Sequence, residues 1–521
     1  MRLININKDK DEGPKLEDFT FRMHKRPDYS QAFSLIYCDT GLSQDDHGGD
    51  VTFTEFNDSK DKLKQAAAIE DREKRKDEIE KLGLRTAAFD KLLQAIKLAS
   101  DEGATHIWID SCCINRDNSS ELTEALNSMY RYYEEATKCL VYLHDFEGPS
   151  KPHDKKVSVE SYDFSKSEWF TRGWTLQELI APKEVIFYNH NWHSFGRRSE
   201  KAVAKAICKI TKIPEEVLNG KAQPYEYSVA QRTSWAANRN TTRGEDKCYS
   251  LFGLFDVNLT LIYGEGAQKA FLRLQEAIMS STNDMSLFAW ESTDTEEEYR
   301  GALARSPQEF RHAGELVHRR FLGPNPEFSM TNRGLKIMPL LSKRLDGTYF
   351  LPLNCAKTKE DSEQSLGIIL SKQSENDEQL YRYKPGDLSF FDRAIFTQDY
   401  EFWLKQNETP IYIVRDERYL KNTSRESSPS EHSRERESRG NSTSGMAADD
   451  SDKAKLTKLV SKRTSSLVGK SKKQALSTST RKSKAKRSGG SVPSNNTLEP
   501  VEAGLTSAAM LAPTLQTGYR N

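Results

Sequence analysis

Short apolar runs alternate with helix-like patterns along the N-terminal part of the chain, and this alternation constrains the fold most strongly. The apolar runs occupy residues 32–37, 105–110, 139–143 and 184–188. Between them, apolar positions recur at helical spacing, most clearly at residues 89–99 and 122–136. Strands that are almost continuously apolar are buried on both faces, and strands that alternate with helices form parallel sheets. The sequence therefore predicts an α/β fold, with a parallel sheet that carries helices on both faces.

Beyond this region the sequence pattern changes. Residues 196–295 are helical in character, and residues 296–418 contain short β-like runs separated by Gly, Asn, Asp and Pro. Only 36% of all residues are hydrophobic and 30% are charged, which indicates that disordered sequence dilutes a folded part. We predict four parts: an α/β domain at residues 1–195, a helical extension at 196–295, a β-rich domain at 296–418 and a disordered tail at 419–521.

The predicted tail is strongly basic, although the whole chain has a formal net charge of zero. Residues 453–487 contain many Lys and Arg but no Asp or Glu. They end in a basic cluster formed by Arg481, Lys482, Lys484, Lys486 and Arg487. Such a cluster is typical of nuclear import signals and of weak contact with nucleic-acid phosphates, and a solvated tail without a specific partner is the alternative. A dedicated nucleic-acid binder is disfavoured, because the folded part lacks an aromatic and basic recognition motif.

Cysteine usage and hydropathy indicate the compartment. The seven cysteines are odd in number and contain no Cys-x-x-Cys pair, so neither a disulfide framework nor a metal site is expected. No apolar run approaches the ~20 residues that span a bilayer, and residues 1–13 lack a signal-peptide core. We therefore expect a reduced intracellular protein without a membrane span, located in the cytoplasm or, through the basic cluster, in the nucleus.

Three acidic residues directly follow predicted strands: Asp39, Asp110 and Asp145. Ligands of doubly wound sheets bind beyond the carboxyl ends of the strands, so these carboxylates suit a ribose, a metal or a cationic ligand. The alternative is that each Asp caps a turn. Ser111 and Cys112 continue a candidate ligand-facing loop after Asp110, in which the adjacent cysteines are alternatively half-buried thiols.

The segment at residues 167–180 contains the sharpest candidate for a functional side chain. On a helical wheel of about 100° per residue, leucines occupy one face, whereas Trp174 and Glu178 share the other. Apolar residues on both faces indicate a helix wedged between two layers. Glu178 is then a carboxylate beside an indole, suited to act as an acid, a base or a stabiliser of a developing cation. A structural glutamate paired with Arg172 or another base is the alternative.

Three long stretches of the chain follow the pattern of one family. They begin with THIWIDSCCINRDNSSELTEALNSMYRYYEEATKCLVYL, SEWFTRGWTLQELIAPKEVIFYN and SVAQRTSWAANRNTTRGEDKCYSLFGLF. Residues 104–193 and 228–290 thereby resemble the fungal heterokaryon-incompatibility (HET) domain family and the region that commonly follows its core. The family usually begins with a strand that contains Ser-His-Thr-Trp, which the corresponding stretch YSQAFSLIYCDTGLSQDD lacks. The resemblance implies a role in non-self recognition after cell fusion, in which the HET domain triggers growth arrest or cell death.

The HET family is in turn similar to TIR (Toll/interleukin-1 receptor) domains, some of which hydrolyse NAD. Those hydrolases carry a Trp-x-x-x-Glu spacing on a helix before a strand, and Trp174 and Glu178 reproduce it. The resemblance implies a TIR- or flavodoxin-like sheet, NAD as substrate and Glu178 as the catalytic residue that stabilises an oxocarbenium-like state. The residues that it implies around the ligand are Trp174, Asp39 and Asp110, and the loop residues Ser111 and Cys112 are further candidates from their position after the strand.

Two mechanisms of different class stay open at this point. One is hydrolysis of NAD by Glu178, which the intact Trp-x-x-x-Glu spacing favours. The other is a non-catalytic signalling module that forms homo-oligomers or acts on a signalling partner, which the missing Ser-His-Thr-Trp element favours. A degenerate, inactive family member is a further alternative.

Overall fold

The computed structural model describes residues 1–6, 13–18, 33–37, 49–148, 163–294, 296–318, 326–338, 341–357, 364–386, 388–392 and 409–415. In these ranges the chain is a mixed α/β protein with several sheets. Asp39 and the predicted tail at residues 419–521 lie outside them. No helix within the described ranges is long and apolar enough to cross a membrane.

The N-terminal sheet has a parallel centre and antiparallel edges. Its strands are β1 (Arg2–Asn5), β2 (Lys15–Asp18), β3 (Phe33–Tyr37), β4 (His106–Trp108), β5 (Lys138–Tyr142), β6 (Val185–Tyr188) and β7 (Ser194–Arg197). Their order across the sheet is β2-β1-β4-β3-β5-β6-β7. Strands β4, β3, β5 and β6 are parallel, whereas β1, β2 and β7 pair antiparallel. The predicted parallel sheet is therefore the centre of a mixed sheet, and the placement of helices on both of its faces stays a prediction.

The α-helices of the described residues lie between these strands and in the helical extension. They are α1 (Phe53–Asp58), α2 (Lys60–Ala67), α3 (Arg72–Lys81), α4 (Thr86–Asp101), α5 (Asp110–Cys113), α6 (Ser119–Glu135), α7 (Thr175–Ile180), α8 (Lys201–Thr211), α9 (Glu215–Leu218), α10 (Val229–Ser234), α11 (Asp246–Tyr249), α12 (Phe252–Phe255) and α13 (Ala267–Ser281).

Helices α4 and α6 form where the apolar periodicity predicts them. Phe89 and Leu92 of α4 are buried, as the spacing of its apolar stripe requires. Helix α6 begins after Asn118, whose side-chain oxygen accepts hydrogen bonds from the backbone N–H groups of Ser120 and Glu121 at 3.1 and 3.2 Å. This N-cap satisfies donors that the first turn otherwise leaves unpaired.

The charged stretch at residues 60–81 is less exposed than its composition suggests. Its two helices, α2 and α3, bury part of their surface. Arg75 is only 3% exposed, and its guanidinium lies 3.3 Å from the carboxylate of Asp90, which Arg72 also contacts at 2.8 Å. A mixed charge pattern is typical of an exposed helix, but it does not reveal which charges find buried partners, as Arg75 of α3 does.

The C-terminal described part consists mainly of antiparallel strands. They are β8 (Tyr299–Arg300), β9 (Val317–His318), β10 (Phe328–Thr331), β11 (Gly334–Ile337), β12 (Ser342–Lys343), β13 (Tyr349–Ala356), β14 (Gln364–Ser371), β15 (Tyr381–Tyr383), β16 (Ser389–Asp392) and β17 (Ile411–Ile413). One sheet has the order β10-β11-β17, and the other has the order β12-β13-β14-β15-β8, with β16 on β14 and β9 on β13. The exact boundaries of the four predicted parts stay predictions.

A buried tryptophan connects the helical and β-rich parts. Trp290 is fully buried, and the guanidiniums of Arg300 and Arg382 lie 4.6 and 3.8 Å from the centre of its ring. Arg300 also pairs with the carboxylate of Glu309 at 3.0 Å, and Arg382 donates a hydrogen bond to the carbonyl oxygen of Phe288 at 2.9 Å. Residues on either side of the predicted boundary near residue 295 therefore pack into one core.

Candidate functional site

Helix α7, which carries Glu178, is buried along its whole length. Its contacts include residues of the helical extension. Gln177 Nε2 donates a hydrogen bond to the carbonyl oxygen of Ser250 at 2.7 Å, and just before the helix the backbone N–H of Gly173 donates to the carbonyl oxygen of Asn240 at 2.8 Å. The prediction of a helix wedged between two layers is therefore confirmed, and the helical extension supplies one of those layers.

Two buried arginines hold the ends of α7. At the C-terminal end, Nη1 of Arg198 donates to the carbonyl oxygen of Leu179 at 2.5 Å, a group that a helix end leaves unpaired. At the N-terminal end, Nη1 of Arg239 donates to the carbonyl oxygen of Arg172 at 2.8 Å and to Oγ1 of Thr175 at 2.7 Å. Burial lowers the pKa of Arg198 and of Arg239 to about 10, so both guanidiniums remain charged at neutral pH.

Glu178 lies in the middle of α7 and is sealed from solvent. The residue is 1% exposed, and its Oε1 accepts a hydrogen bond from Oη of Tyr133 at 3.2 Å. Burial raises the pKa of Tyr133 well above its ordinary value, and the charge of Glu178 adds to that rise. The same charge raises the pKa values of Arg172 and Arg239 against the larger, lowering effect of burial. Glu178 is thus a buried carboxylate, held by a phenol and close to two guanidiniums.

Trp174 precedes α7 and contacts a different set of groups. Its indole lies beside the carboxylate of Asp246 and opposes the rise in the pKa of that group, and the same carboxylate accepts a hydrogen bond from Oη of Tyr263 at 2.9 Å. Burial raises the pKa of Asp246, because a charged carboxylate is poorly solvated there. Trp174 is only half-buried and is therefore more accessible than Glu178.

Three of the predicted site residues, Asp110, Ser111 and Cys112, line a small cavity. Its volume is about 20 Å³, and Asp50 and Lys91 belong to its lining, whereas the two predicted residues of the α7 segment do not. A cavity needs about 10–15 Å³ to hold one water, whereas ligand pockets measure roughly 300–1,000 Å³. In the conformation described here, this cavity accommodates a water-sized group and is too small for a dinucleotide.

Local contacts occupy Asp110 and Cys112. Nη2 of Arg116 donates to the Asp110 carboxylate at 2.9 Å, and burial raises the pKa of Asp110. The thiol of Cys112 donates to the carbonyl oxygen of Val51 at 3.1 Å, and burial raises the pKa of this thiol well above its ordinary value, which leaves it protonated and unreactive. The expectation of half-buried thiols is wrong in degree, because Cys112 is 1% and Cys113 is 2% exposed.

Asp145 and Asp39 are the other two acidic residues that follow predicted strands. The Asp145 carboxylate accepts hydrogen bonds from Oγ of Ser167 at 2.7 Å and from the backbone N–H of Glu168 at 2.8 Å. Turn capping is therefore the correct alternative for Asp145, whereas Asp39 lies outside the described residues. In the described part of the chain, no group of three or more His, Cys, Asp or Glu side chains is arranged to hold a metal ion.

A glycine-containing turn before α13 has the form of an anion site, but a carboxylate of the chain itself occupies it. The backbone N–H groups of Gly264 and Gly266 both donate to Oε1 of Glu245, at 2.9 and 3.0 Å. The backbone N–H of Glu245 itself, followed by those of Gly266 and Gly264, lowers the pKa of Glu245. A carboxylate of the chain therefore takes the place that a phosphate would occupy at a helix N-terminus.

The contacts around Glu178 include residues that sequence reasoning did not assign to the site. Tyr133 lies on the apolar stripe of α6, and Arg239 lies in a stretch with several charged residues, so the sequence marks neither as a contact of Glu178. The alternative of a structural glutamate paired with Arg172 or another base provided the relevant signal, and the charge of Glu178 acts on Arg172 as well as on Arg239. The fold brings Arg239 of the helical extension to the segment that already contains Arg172 and Glu178.

Comparisons with known proteins show which families parts of this chain resemble. Residues 57–163 match the model of the family described as heterokaryon incompatibility protein (HET), and residues 269–345 match a domain of unknown function (DUF8212). The vegetative incompatibility protein HET-E-1 of Podospora anserina is 46% identical over 190 residues, an alignment that covers 36% of this chain and 14% of that protein. No solved structure matches the chain significantly. The HET match ends before α7, so Glu178 lies outside it. On these matches, residues 57–163 are similar to the fungal HET domain family, and the chain shares a segment with a vegetative incompatibility protein.

Proposed function

We propose that this chain acts in vegetative incompatibility, as an effector that arrests growth or kills the cell after fusion with a non-self partner. The HET match and the 46% identity to a vegetative incompatibility protein support this role. The alignment covers only 14% of that relative, so the proposal concerns the part of the chain that the two proteins share. Inducible expression of the full chain in a fungal host should arrest growth, whereas unimpaired growth at a confirmed protein level would contradict the role.

For the mechanism, we propose that the α/β domain signals by self-association, without catalysis by Glu178. The observation that carries this proposal is the burial of Glu178, which is 1% exposed and hydrogen-bonded to Tyr133. A residue that stabilises a developing cation has to contact the ligand. A carboxylate that is buried between its own helix and a neighbouring helix contributes to packing instead. The 20 Å³ cavity beside Asp110 gives the same indication.

The experiment that tests self-association uses a fused, drug-inducible dimerisation module. Dimerising the full chain should provoke growth arrest, and the Glu178→Gln variant should still do so at equal level of folded protein, because Gln retains an oxygen that accepts the hydrogen bond of Tyr133. The same fusion without the drug is the matched control. Growth arrest by the parent chain but not by Glu178→Gln at equal protein level would reject this mechanism.

Hydrolysis of NAD is the second candidate, and the strand order favours it. If the four parallel strands are numbered in chain order, they lie across the sheet in the order 2-1-3-4. This order matches the first four strands of flavodoxin-like sheets, which bind ligands beyond the carboxyl ends of their strands. In this candidate Glu178 is the catalytic residue, NAD is the substrate, and α7 has to move away from Tyr133. The ligand-binding residues would be Trp174, Asp39, Asp110, Ser111 and Cys112. Release of nicotinamide by the dimerised parent chain, and none by Glu178→Gln, would establish this candidate.

For the basic tail, we propose nuclear import, with weak nucleic-acid contact as a secondary effect. The support is the sequence alone, namely the cluster at residues 481–487. Deletion of residues 451–490 from a fluorescent fusion should move a nuclear signal to the cytoplasm. An unchanged distribution would reject the import role.

A further inference from the structure

We infer that Arg239 of the helical extension is the positioning residue for Glu178, so that the functional unit of this HET domain includes the extension. This goes beyond the proposed function, because it applies to a signalling module and to a hydrolase alike. It also extends the unit well past residues 57–163, where the HET match lies.

The geometry begins with the hydrogen bonds of the Arg239 guanidinium. Nη1 of Arg239 donates at 2.7 Å to Oγ1 of Thr175, the first residue of α7. Thr175 and Glu178 are three residues apart and therefore lie on the same face of the helix. The guanidinium is thus anchored one turn from the carboxylate. Arg239 is 4% exposed, so little solvent screens the attraction between the two charges.

The backbone holds the two segments together at the same place. The N–H of Asn240 donates to the carbonyl oxygen of Thr171 at 2.6 Å, and the N–H of Gly173 donates to the carbonyl oxygen of Asn240 at 2.8 Å. Arg172 and Asn240 form a parallel bridge. A Cβ at Gly173 would collide with the Cγ2 methyl of Thr241. The residue after Arg239 is therefore fixed against the segment that leads into α7.

The buried charges of Glu178 and Arg239 stabilise each other. A buried carboxylate without a positive partner is strongly destabilising, as is a buried guanidinium without a negative one. In the described residues, Nη2 of Arg239 has no hydrogen-bond partner, and Glu178 is the acidic group that acts on the guanidinium. The hydroxyl of Tyr133 supplies a hydrogen bond to Glu178 but no charge. Arg239 and Arg172 thus share the balance of the charge of Glu178, and Arg239 also fixes the helix that carries it.

A double-mutant cycle on the full chain tests the inference. Arg239→Met and Glu178→Gln should each lower the Tm, and the double variant should lose clearly less than the sum of the two shifts, because it removes both buried charges. Arg239→Lys should keep most of the Tm. Arg232→Met is the matched control, since Arg232 is a half-buried arginine that donates to the carbonyl oxygen of Leu254 at 3.0 Å. The Tm shifts of Arg232→Met and Glu178→Gln should be additive in the variant that combines them.

The outcome that overturns the inference is additivity between Arg239→Met and Glu178→Gln within error. Should Arg239→Met fail to fold, Arg239→Gln replaces it in the same cycle. Growth arrest in cells gives a second readout: Arg239→Met should lose it, Arg239→Lys should keep it, and the double variant should recover it. If neither the double variant nor Glu178→Gln arrests growth, the proposed signalling mechanism is contradicted. The role of Arg239 is decided by the unfolding cycle alone.

Discussion

Oη of Tyr133 and Oε1 of Glu178 lie 3.2 Å apart, and each residue is only 1% exposed. The contact links α6 to α7 across 45 residues of sequence. It places a neutral donor against a buried carboxylate and closes one side of Glu178 to solvent. In this conformation the carboxylate supports the packing of α7, and ligand chemistry at Glu178 requires the contact to open.

Replacing Tyr133 by Phe is expected to destabilise the protein by about 1.5–3 kcal/mol, the range for losing a hydrogen bond to a charged group. The substitution removes only the hydroxyl, so the ring still packs on Trp108, 5.9 Å away between ring centres. Chemical denaturation of the full chain measures the loss. Tyr225→Phe is the control, because Tyr225 is 75% exposed, and its change should stay within about 0.5 kcal/mol. Equal stabilities of the two variants would mean that the Tyr133 contact does not form.

Gly173→Ala should weaken the seam between α7 and the helical extension. The added methyl meets Thr241, and overpacking of this kind costs about 1–3 kcal/mol. Gly386→Ala is the matched control, because a Cβ at Gly386 meets no atom within 4 Å. Thermal unfolding should show a lower Tm for the first variant and little change for the second. A neutral Gly173→Ala would refute the tight approach of the two segments.

The acid group of Glu297 gives a pH dependence with a definite sign. Burial raises the pKa of Glu297, but hydrogen bonds from Arg305 and Arg300 outweigh that effect and hold the pKa below its ordinary value of 4.5. The folded state therefore binds the proton more weakly than the unfolded state, and the stabilisation is present above pH 4.5 and lost as the pH falls through the folded pKa.

The measurement for this prediction compares the parent chain with Glu297→Gln by denaturant unfolding across the acid range. The parent chain should be the more stable at neutral pH, and the difference should shrink below pH 4.5. A difference that stays constant into the acid range would show that the ion pairs of Glu297 do not form.

The cysteines should differ in reactivity according to burial. Cys112 is 1% exposed and has a strongly raised pKa, whereas Cys208 is only half-buried. A thiol reagent added to the native chain should label Cys208 well before Cys112, because the thiolate and its exposure both control the rate. Peptide mapping after a short reaction reads the order, and unfolding in denaturant should remove the difference. Equal labelling in the native state would place Cys112 at the surface.

The sequence predicts the helices and central strands of the α/β domain well, but it does not predict the strands at the edges of the sheet. Helices α4 and α6 and strands β4, β5 and β6 follow from period and apolar content alone, because burial imposes that pattern. Strands β1 and β7 escape prediction. They are four residues long and partly polar, and only pairing with a distant strand defines them as strands.

The candidate site is predicted less completely, for a physical reason. The wheel position of Glu178 correctly predicts a wedged helix, but the groups that determine its environment lie 45 residues away at Tyr133 and in the extension at Arg239. No local pattern encodes such contacts. Asp110 and Cys112 follow a strand as a ligand-facing loop would, yet whether such a loop borders a crevice depends on how α4 packs over it.

The most direct test of the account is nicotinamide release from NAD by the purified, monomeric full chain and by its Glu178→Gln variant. With Glu178 sealed under Tyr133 and held by Arg239, both proteins should release no more nicotinamide than the buffer does. Release by the parent chain that exceeds the variant tenfold or more, a transition-state difference of about 1.4 kcal/mol, would contradict the account and make Glu178 a catalytic residue.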